Sequence, residues 1–326
     1  MLYWDFLVPY ILNHPIMMHK TCLTIFVLLC YTTLIKAQVT EQQINIEQHY
    51  SFNPDSLIHH IKTLSSDAFE GRRTGTAGAE KAKQYIINKF RSLNVTPLIQ
   101  DYQQPFTFTT RGKTYKAINV LGLIKGSKKP EEYIVISAHY DHEGIQNNQI
   151  YNGADDDASG VAALFAFAEY FENHLPTHSV ILAAFDAEEL GISGSHYYVN
   201  NSIVPLNKIK LNINMDMISR NDKNELYAVG TAYNTALKSV ISNYKSATDL
   251  TLLMGHDGQD GKQNWTHASD HAPFHKKKIP FLYFGVEDHK DYHKPSDTFE
   301  NIHPEFYKNA VKAIISIFGT VDAMQL

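Results

Sequence analysis

The segment YIVISAHYDH, residues 133–142, decides the predicted fold of this chain. It begins as a continuous apolar run and ends abruptly in histidine and aspartate. Such a run is typical of a strand that is buried on both faces of a sheet. Further apolar runs of this kind follow along the sequence, at 179–185, 209–215 and 280–285.

Helical patterns alternate with these strands, over residues 161–172, 187–199 and 234–246. Nearer the N-terminus the sequence predicts helices over 55–64 and 79–93 and strands over 105–110 and 117–124, and the chain ends in a helix over 304–324. Alternating strands and helices favour a parallel sheet that is covered on both faces. We therefore predict an α/β fold, a single domain with a mainly parallel central sheet flanked by helices on both faces.

The composition of the 326-residue chain is that of a folded globular protein, with 44% hydrophobic and 19% charged residues. The formal net charge is −5 and the basic residues are scattered, so no nucleic-acid partner is expected. The short run Lys276–Lys278 is interpreted as a solvated turn. Nothing in the sequence predicts an oligomeric state.

The first 37 residues have the pattern of a signal peptide. A short basic start precedes an apolar run over 21–35, and Ala37 could precede the cleavage point. Because the run is short for a membrane span, which needs about 20 residues, stable membrane insertion is not expected. A retained N-terminal anchor is the alternative. The residues before this pattern fit it poorly, so Met17 or Met18 is a candidate for the true start.

The chain is thus divided into a signal region over 1–37, a lead-in segment over 38–63 and a main domain over 64–326. The expected location is secreted or periplasmic after removal of the signal peptide. Both cysteines, Cys22 and Cys30, fall in the signal region. A metal bound by the mature chain would therefore have nitrogen and oxygen ligands, for which 17 histidines are available.

Three of the predicted strands end in side chains that can bind metal. The residues that follow them are His139 and Asp141, Asp186 to Glu189, and Asp216. Binding sites of open α/β sheets collect beyond the carboxyl ends of the strands, so these side chains are expected at one edge. A ligating histidine usually donates its second ring N–H to a carboxylate, which makes Asp141 a candidate partner of His139.

Two groups of adjacent acids add to this edge. Asp155, Asp156 and Asp157 would repel one another without a compensating cation, although one of them could simply cap the helix that follows. Glu188 and Glu189 begin a predicted helix, where neighbouring side chains point about 100° apart. One can then bind metal while the other acts as a general base. Two exposed acids that favour the helix dipole are the alternative.

The C-terminal part supplies further candidates. His293 lies in a loop after the strand at 280–285 and could enter the same edge as a fifth ligand. Tyr292 offers a phenol that could donate a hydrogen bond to a developing oxyanion. Asp270 and His271 are interpreted instead as a buried hydrogen-bonded pair with a structural role.

Taken together, these segments resemble the co-catalytic two-zinc exopeptidases, a family that includes secreted bacterial leucine-type aminopeptidases and aminopeptidase Y. Glutaminyl cyclases belong to the same superfamily. The matching segments, in the order of the family, are DAFEGRRTGTAGAEKA at 67–82, SAHYDH at 137–142, GADDDASG at 153–160, AFDAEELGISGS at 184–195, NMDMIS at 214–219, SDHAPF at 269–274 and YHKPSDT at 292–298. The resemblance implies the zinc-exopeptidase fold, of the phosphorylase/hydrolase-like type, with residues 64–326 as the catalytic domain.

The resemblance also implies a role for each site residue. His139 and Asp216 would hold one of two zinc ions, Glu189 and His293 the other, and Asp156 would bridge them. Glu188 would be the general base that activates a zinc-bridged water, Asp141 would orient His139, and Tyr292 would polarise the scissile carbonyl. The substrate would be the N-terminus of a peptide or protein, from which an aminopeptidase removes residues.

Three alternatives stay open at this point. A glutaminyl cyclase would bind a single catalytic zinc. A carboxypeptidase would need a cation for the terminal carboxylate of its substrate, and Arg220 is a candidate for it. A non-catalytic binding module would have lost metal ligands or the base, whereas all six positions are kept here.

Overall fold

The computed structural model describes residues 50–324. The predicted signal peptide, its alternative starts and both cysteines lie outside these residues. The α-helices of the described part are α1 (Pro54–Leu64), α2 (Ala77–Ser92), α3 (Ser159–Asn173), α4 (Ser193–Asn200), α5 (Thr235–Asn243), α6 (Ala272–Lys276) and α7 (Pro304–Asp322). Short 3₁₀ segments lie at Asp67–Arg72, Gln100–Tyr102, Leu206–Lys208, Thr231–Tyr233 and Phe299–Asn301, and an irregular turn at Ala154–Ala158.

The strands of the described part are β1 (Thr96–Pro97), β2 (Gln103–Thr110), β3 (Lys113–Ile124), β4 (Lys129–His139), β5 (Gly144–Gln146), β6 (Gln149–Tyr151), β7 (His178–Phe185), β8 (Ile209–Met215), β9 (Glu225–Val229), β10 (Thr251–Met254) and β11 (Phe281–Gly285). Nine of them form one sheet in the order β1-β3-β7-β4-β8-β11-β9-β10, with β2 paired to β3. Strands β5 and β6 form a separate hairpin.

The centre of the sheet is parallel. Strands β7, β4, β8 and β11 are neighbours in this order, and each runs parallel to the next. On one flank β3 is antiparallel to β7, and on the other β9 is antiparallel to β11. The predicted mainly parallel central sheet is therefore confirmed, and the antiparallel pairings are confined to its flanks.

Both faces of the sheet are covered, because successive side chains of a strand point to opposite faces. In β4, Ile134 and Ile136 belong to a large core that also contains residues of α1, α2, α3 and α7. Val135, which lies between them, belongs to a second core with residues of α4 and α6. Burial on both sides explains why the strand is a continuous apolar run rather than an alternating one.

One predicted element differs clearly from the observed one. The helix expected over 187–199 begins only at Ser193, because residues 187–192 form a turn in which Ala187 and Ile192 have positive φ. Helix α1, which the sequence predicted over 55–64, is observed at Pro54–Leu64, and its Leu57 and Ile61 pack in the large core.

None of the helices found between residues 50 and 324 has the length and apolar character needed to cross a membrane. The parallel arrangement of the four central strands has a direct consequence for the site. Their carboxyl ends lie at one edge of the sheet, and the segments that follow these ends converge there.

Candidate metal centre

Five of the predicted ligands lie together at this edge, in two groups that share Asp156. In the first group, the Nε2 atom of His139 lies 3.2 Å from Oδ1 of Asp156 and 3.6 Å from Oδ1 of Asp216. In the second, Nε2 of His293 lies 3.1 Å from Oδ2 of Asp156 and 3.3 Å from Oε2 of Glu189. The two oxygens of Asp156 thus face different groups.

Strand ends carry the first group. His139 is the last residue of β4, and Asp216 directly follows β8, its parallel neighbour. The second group depends on loops, since Glu189 lies in the turn after β7 and His293 in the loop after β11. Asp156 lies in the irregular turn before α3.

The three consecutive aspartates have separate roles. Asp157 accepts hydrogen bonds from the backbone N–H groups of His139 (3.1 Å) and of Gly160 in the first turn of α3 (2.8 Å), although the cap position itself is Ala158. Asp155 accepts from the backbone N–H and the hydroxyl of Ser219, both at 2.7 Å. Asp156 is the member of the triplet whose two carboxylate oxygens lie next to Nε2 of His139 and Nε2 of His293, at 3.2 and 3.1 Å.

Asp297 fixes the backbone of this triplet. Its carboxylate oxygens accept from the backbone N–H groups of Asp155 (3.0 Å) and Asp156 (3.1 Å). Asp297 lies in the segment YHKPSDT, which the sequence singled out, but it was given no role there. A hydrogen bond from a distant backbone leaves no pattern in the sequence.

Asp141 has a different contact from the one expected. The ring Nδ1 of His139 lies 3.1 Å from the backbone carbonyl oxygen of Asp141 and 3.8 Å from its carboxylate. The carboxylate instead accepts from the backbone N–H groups of Glu188 (2.9 Å) and Glu189 (3.3 Å). Asp141 therefore ties the turn that carries both glutamates to the end of β4.

The donor set fits zinc. It consists of imidazole nitrogens and carboxylate oxygens, which are common zinc ligands. One carboxylate oxygen, Oε1 of Glu189, is buried without a hydrogen bond among the described residues. Burial acts to lower the pKa of His293, yet its hydrogen bonds to Asp156 and Glu189 raise that pKa to about 11. The site thus attracts positive charge strongly, as a metal centre must.

Glu188 and Tyr292 border the same site. Burial raises the pKa of the Glu188 carboxyl well above its ordinary value, and the nearby carboxylate of Glu189 raises it further. The ring of Tyr292 stacks on the ring of His293, with the centroids 3.9 Å apart. The sequence prediction that both residues lie beside the ligands agrees with these positions.

The expected pair of Asp270 and His271 does not form. Both side chains are fully buried, but the Nε2 atom of His271 lies 2.9 Å from the backbone carbonyl of Trp265. The imidazole ring of His271 stacks against Phe281 and Tyr283. The structural interpretation of His271 fits these contacts, and the predicted partner was wrong.

Arg72 is a further residue that the sequence analysis missed. It is fully buried, and its guanidinium donates to five backbone carbonyls, those of Leu64, Tyr140, Asn152, Gly153 and Asp156. The segment after β4 and the segment before α3 are therefore held by one side chain. The first of these segments directly follows the predicted ligand His139, and the second contains the predicted ligand Asp156.

Residues 119–318 match the family model described as peptidase family M28. This stretch is more than half of the 326-residue chain. The chain belongs to peptidase family M28. The predicted resemblance to zinc exopeptidases is thereby confirmed at the level of the family.

Members and relatives of the M28 family are found among both sequences and structures. Aminopeptidase YwaD of Bacillus subtilis (strain 168) is 29% identical over 208 residues, which are 59% of this chain and 42% of that protein. The chain spans less than half the length of the curated relatives that it matches.

Two solved structures share the fold. A Zn-dependent exopeptidase from Parabacteroides distasonis ATCC 8503 has a TM-score of 0.66 at 20% identity, over 82% of this chain and 98% of that one. A glutaminyl cyclase from Porphyromonas gingivalis has a TM-score of 0.66 at 18% identity, over 82% of this chain and 97% of that one.

In this M28 chain the ligands open onto a cavity of about 480 Å³. Its wall contains Glu188, Tyr292 and the carboxylate of Asp288, and Arg111 from the turn between β2 and β3. Arg220, the cation considered for a carboxypeptidase, does not line this cavity. It is buried and forms an ion pair with Asp291.

Another histidine lies among the predicted ligands of the M28 site. His142 is completely buried, and its Nδ1 atom lies 2.8 Å from Oε1 of Glu189. With Asp156 and Glu189 it forms a group whose ligand atoms are close enough to hold one ion. His142 belongs to the segment SAHYDH, but the sequence pattern there indicated no role for it.

Proposed function

We propose that this chain is a metal-dependent exopeptidase, an aminopeptidase that binds two zinc ions and removes residues from the N-termini of peptides. The observation that carries the proposal is the carboxylate of Asp156, whose two oxygens face separate groups of ligands. His139 and Asp216 would hold one ion, and Glu189 and His293 the other. Bound zinc would polarise the scissile carbonyl and lower the pKa of the attacking water.

The side chains around the ligands supply the proton transfers. Glu188 accepts a proton from the attacking water and returns it to the departing amine. Its raised pKa, caused first by burial, suits a group that must both take up and release a proton. Bound cations would act in the opposite direction on that pKa, because they favour the carboxylate. The phenol of Tyr292 donates a hydrogen bond to the oxyanion that develops on the carbonyl.

The charge of the cavity favours an aminopeptidase. Besides the ligands, Glu188 and Asp288 contribute carboxylates to its wall, and these attract the protonated α-amine of a substrate. Arg220 is neutralised by Asp291, so it offers no charge to a terminal carboxylate.

A carboxypeptidase is the second candidate, and one observation favours it. Arg111 lines the cavity and is the cation available there to bind a carboxylate. Peptides with a blocked N-terminus and a free C-terminus test it directly. Their hydrolysis, weakened by Arg111→Gln, would support the carboxypeptidase, whereas hydrolysis of N-terminally free, C-terminally amidated peptides supports the aminopeptidase.

The first experiment is a chelator-sensitive assay of the zinc-loaded full-length chain on a panel of aminoacyl-p-nitroanilides. We expect turnover that ends on chelation and returns with zinc. Bound zinc measured by mass spectrometry should reach two ions per chain, whereas a glutaminyl cyclase would hold one. Failure to hydrolyse any free or blocked peptide, with zinc loaded, would leave a non-catalytic binding module as the explanation.

We also propose that residues 1–37 direct export and are removed, which makes the mature protein secreted or periplasmic. The basis is the sequence pattern of a basic start, an apolar run and Ala37. The catalytic domain is proposed to cover residues 64–326. N-terminal sequencing of the exported protein tests this, and a start upstream of the apolar run would favour a retained anchor.

A further inference from the structure

His142 is a buried polar side chain without a hydrogen bond. It follows β4 by three residues and is fully enclosed. Neither ring nitrogen has a hydrogen-bond partner among the described residues. Buried polar groups are almost always paired, so a histidine in this condition calls for a missing partner.

The contacts of Nδ1 point to the nature of that partner. This atom lies 2.8 Å from Oε1 of Glu189 and 3.7 Å from Oδ2 of Asp156. At 2.8 Å the nitrogen and the Glu189 oxygen are at hydrogen-bonding distance, yet both lack a hydrogen bond of acceptable geometry. The Nδ1 atom of His142 and the Oε1 atom of Glu189 are thus close together without a hydrogen bond between them. This is the arrangement expected of two ligands that bind the same cation.

The distances from each histidine to the carboxylates are close to those between ligands of one ion. Zinc bonds of about 2.0–2.2 Å to nitrogen and oxygen place two tetrahedral ligand atoms of one ion about 3–3.5 Å apart. His142 and His293 approach Asp156 and Glu189 at 2.8 to 3.7 Å. The two imidazole rings lie 6.0 Å apart, centroid to centroid.

Backbone packing holds the ring of His142 in place. Gly153 has a left-handed conformation, with φ +58°, and a Cβ atom there would lie 2.5 Å from the His142 ring. The ring is therefore packed tightly against the backbone that leads into the aspartate triplet. This packing takes the place of the outer hydrogen bond that usually orients a ligating histidine.

We propose that His142 is a further ligand at the metal position of Glu189 and His293. That position would then have two imidazoles, Glu189 and one oxygen of Asp156, whereas the position of His139 would have one imidazole. The inference rests on the proposed function, since it assumes that these residues bind metal. Its consequence is that the two ions bind with different affinities.

The test compares zinc binding by full-length wild type, His142→Gln and the control His60→Gln, by calorimetry with zinc alone against a competing chelator. His60 is also buried, but it contacts Ser56 and Tyr85. We expect His142→Gln to lower the binding affinity of one of the two zinc ions at least tenfold and to leave the affinity of the other unchanged. His60→Gln should leave both unchanged.

Two unchanged zinc affinities in a correctly folded His142→Gln variant would overturn the inference and leave the proposed function intact. Absence of zinc binding by wild type would instead overturn the proposed function. If the variant fails to fold, ¹⁵N-histidine NMR of zinc-saturated wild type decides. Three ligated imidazole nitrogens support the inference, and two contradict it.

Discussion

The two halves of the proposed metal centre are built in different ways. His139 and Asp216 lie at the ends of neighbouring parallel strands, and the side chain of His139 is only 2% exposed. Glu189 and His293 lie in a turn and a loop, and the His293 side chain is 38% exposed. The first position is therefore determined by the sheet, whereas the second depends on side chains that hold loops in place.

Asp156 belongs to both positions, so its substitution should have the largest effect. Asp156→Asn removes a negative charge from each group while it keeps the shape of the side chain. We expect activity to fall to the level of the uncatalysed reaction and both zinc ions to be lost. Metal content and turnover measured on the same sample check this. Retention of two tightly bound ions would contradict the shared role of Asp156.

Glu188 lies beside both proposed metal positions but is not proposed as a ligand of either ion. Glu188→Gln should lower kcat by about 10²–10⁴-fold, because a general base contributes that much, and should leave metal content unchanged. Steady-state kinetics with parallel metal analysis separates the two effects. Near-normal turnover with two ions bound would rule out Glu188 as the base.

Arg72 and Arg73 are sequence neighbours whose substitution should destabilise the fold to very different extents. Arg72 is fully buried and donates to five backbone carbonyls, so Arg72→Met should lower the free energy of unfolding by about 3–5 kcal/mol. Arg73 forms a partly exposed ion pair with Glu143, so Arg73→Met should cost about 1 kcal/mol or less. Denaturant unfolding of the metal-free variants measures both. Equal losses of unfolding free energy in the two variants would contradict the conclusion that the hydrogen bonds of Arg72 stabilise the segments after β4 and before α3.

The smallest expected effect is a difference between two histidine variants. With His142 as a ligand, His293→Gln leaves three ligands at its position, whereas His139→Gln leaves two. The zinc affinity of the altered position should therefore fall about tenfold more in His139→Gln. Chelator competition measures the zinc affinity of both variants. A larger loss of affinity in His293→Gln than in His139→Gln would contradict this prediction.

The same contrast explains what the sequence could predict. His139 and Asp216 directly follow apolar runs and Glu189 comes four residues after one, so the strand pattern alone indicated that they lie at one edge. The choice of Asp156 from its triplet and of His293 from 17 histidines came from the family resemblance. The structure gives a physical reason for Asp156, since Asp155 and Asp157 are occupied by Ser219 and by backbone N–H groups.

The residues that the sequence did not predict act through the backbone. Arg72 and Asp297 bond to carbonyl and N–H groups that lie far away in sequence, so residue type and spacing carry no trace of these contacts. The error in the helix over 187–199 has a similar origin. The carboxylate of Asp141 binds the N–H groups of Glu188 and Glu189 and stabilises a turn there, a tertiary contact that outweighs local helical preference.

The modest size of the cavity sets a condition on substrates. A space of about 480 Å³ is within the range of pockets that enclose small ligands, which suits the end of an extended chain better than a folded surface. If the chain cleaves peptides as proposed, its rate on a folded protein depends on how often the terminus of that protein frays away from its own domain. The selectivity of the enzyme among intact proteins would then reflect the local stability of its targets as much as the residue at their ends.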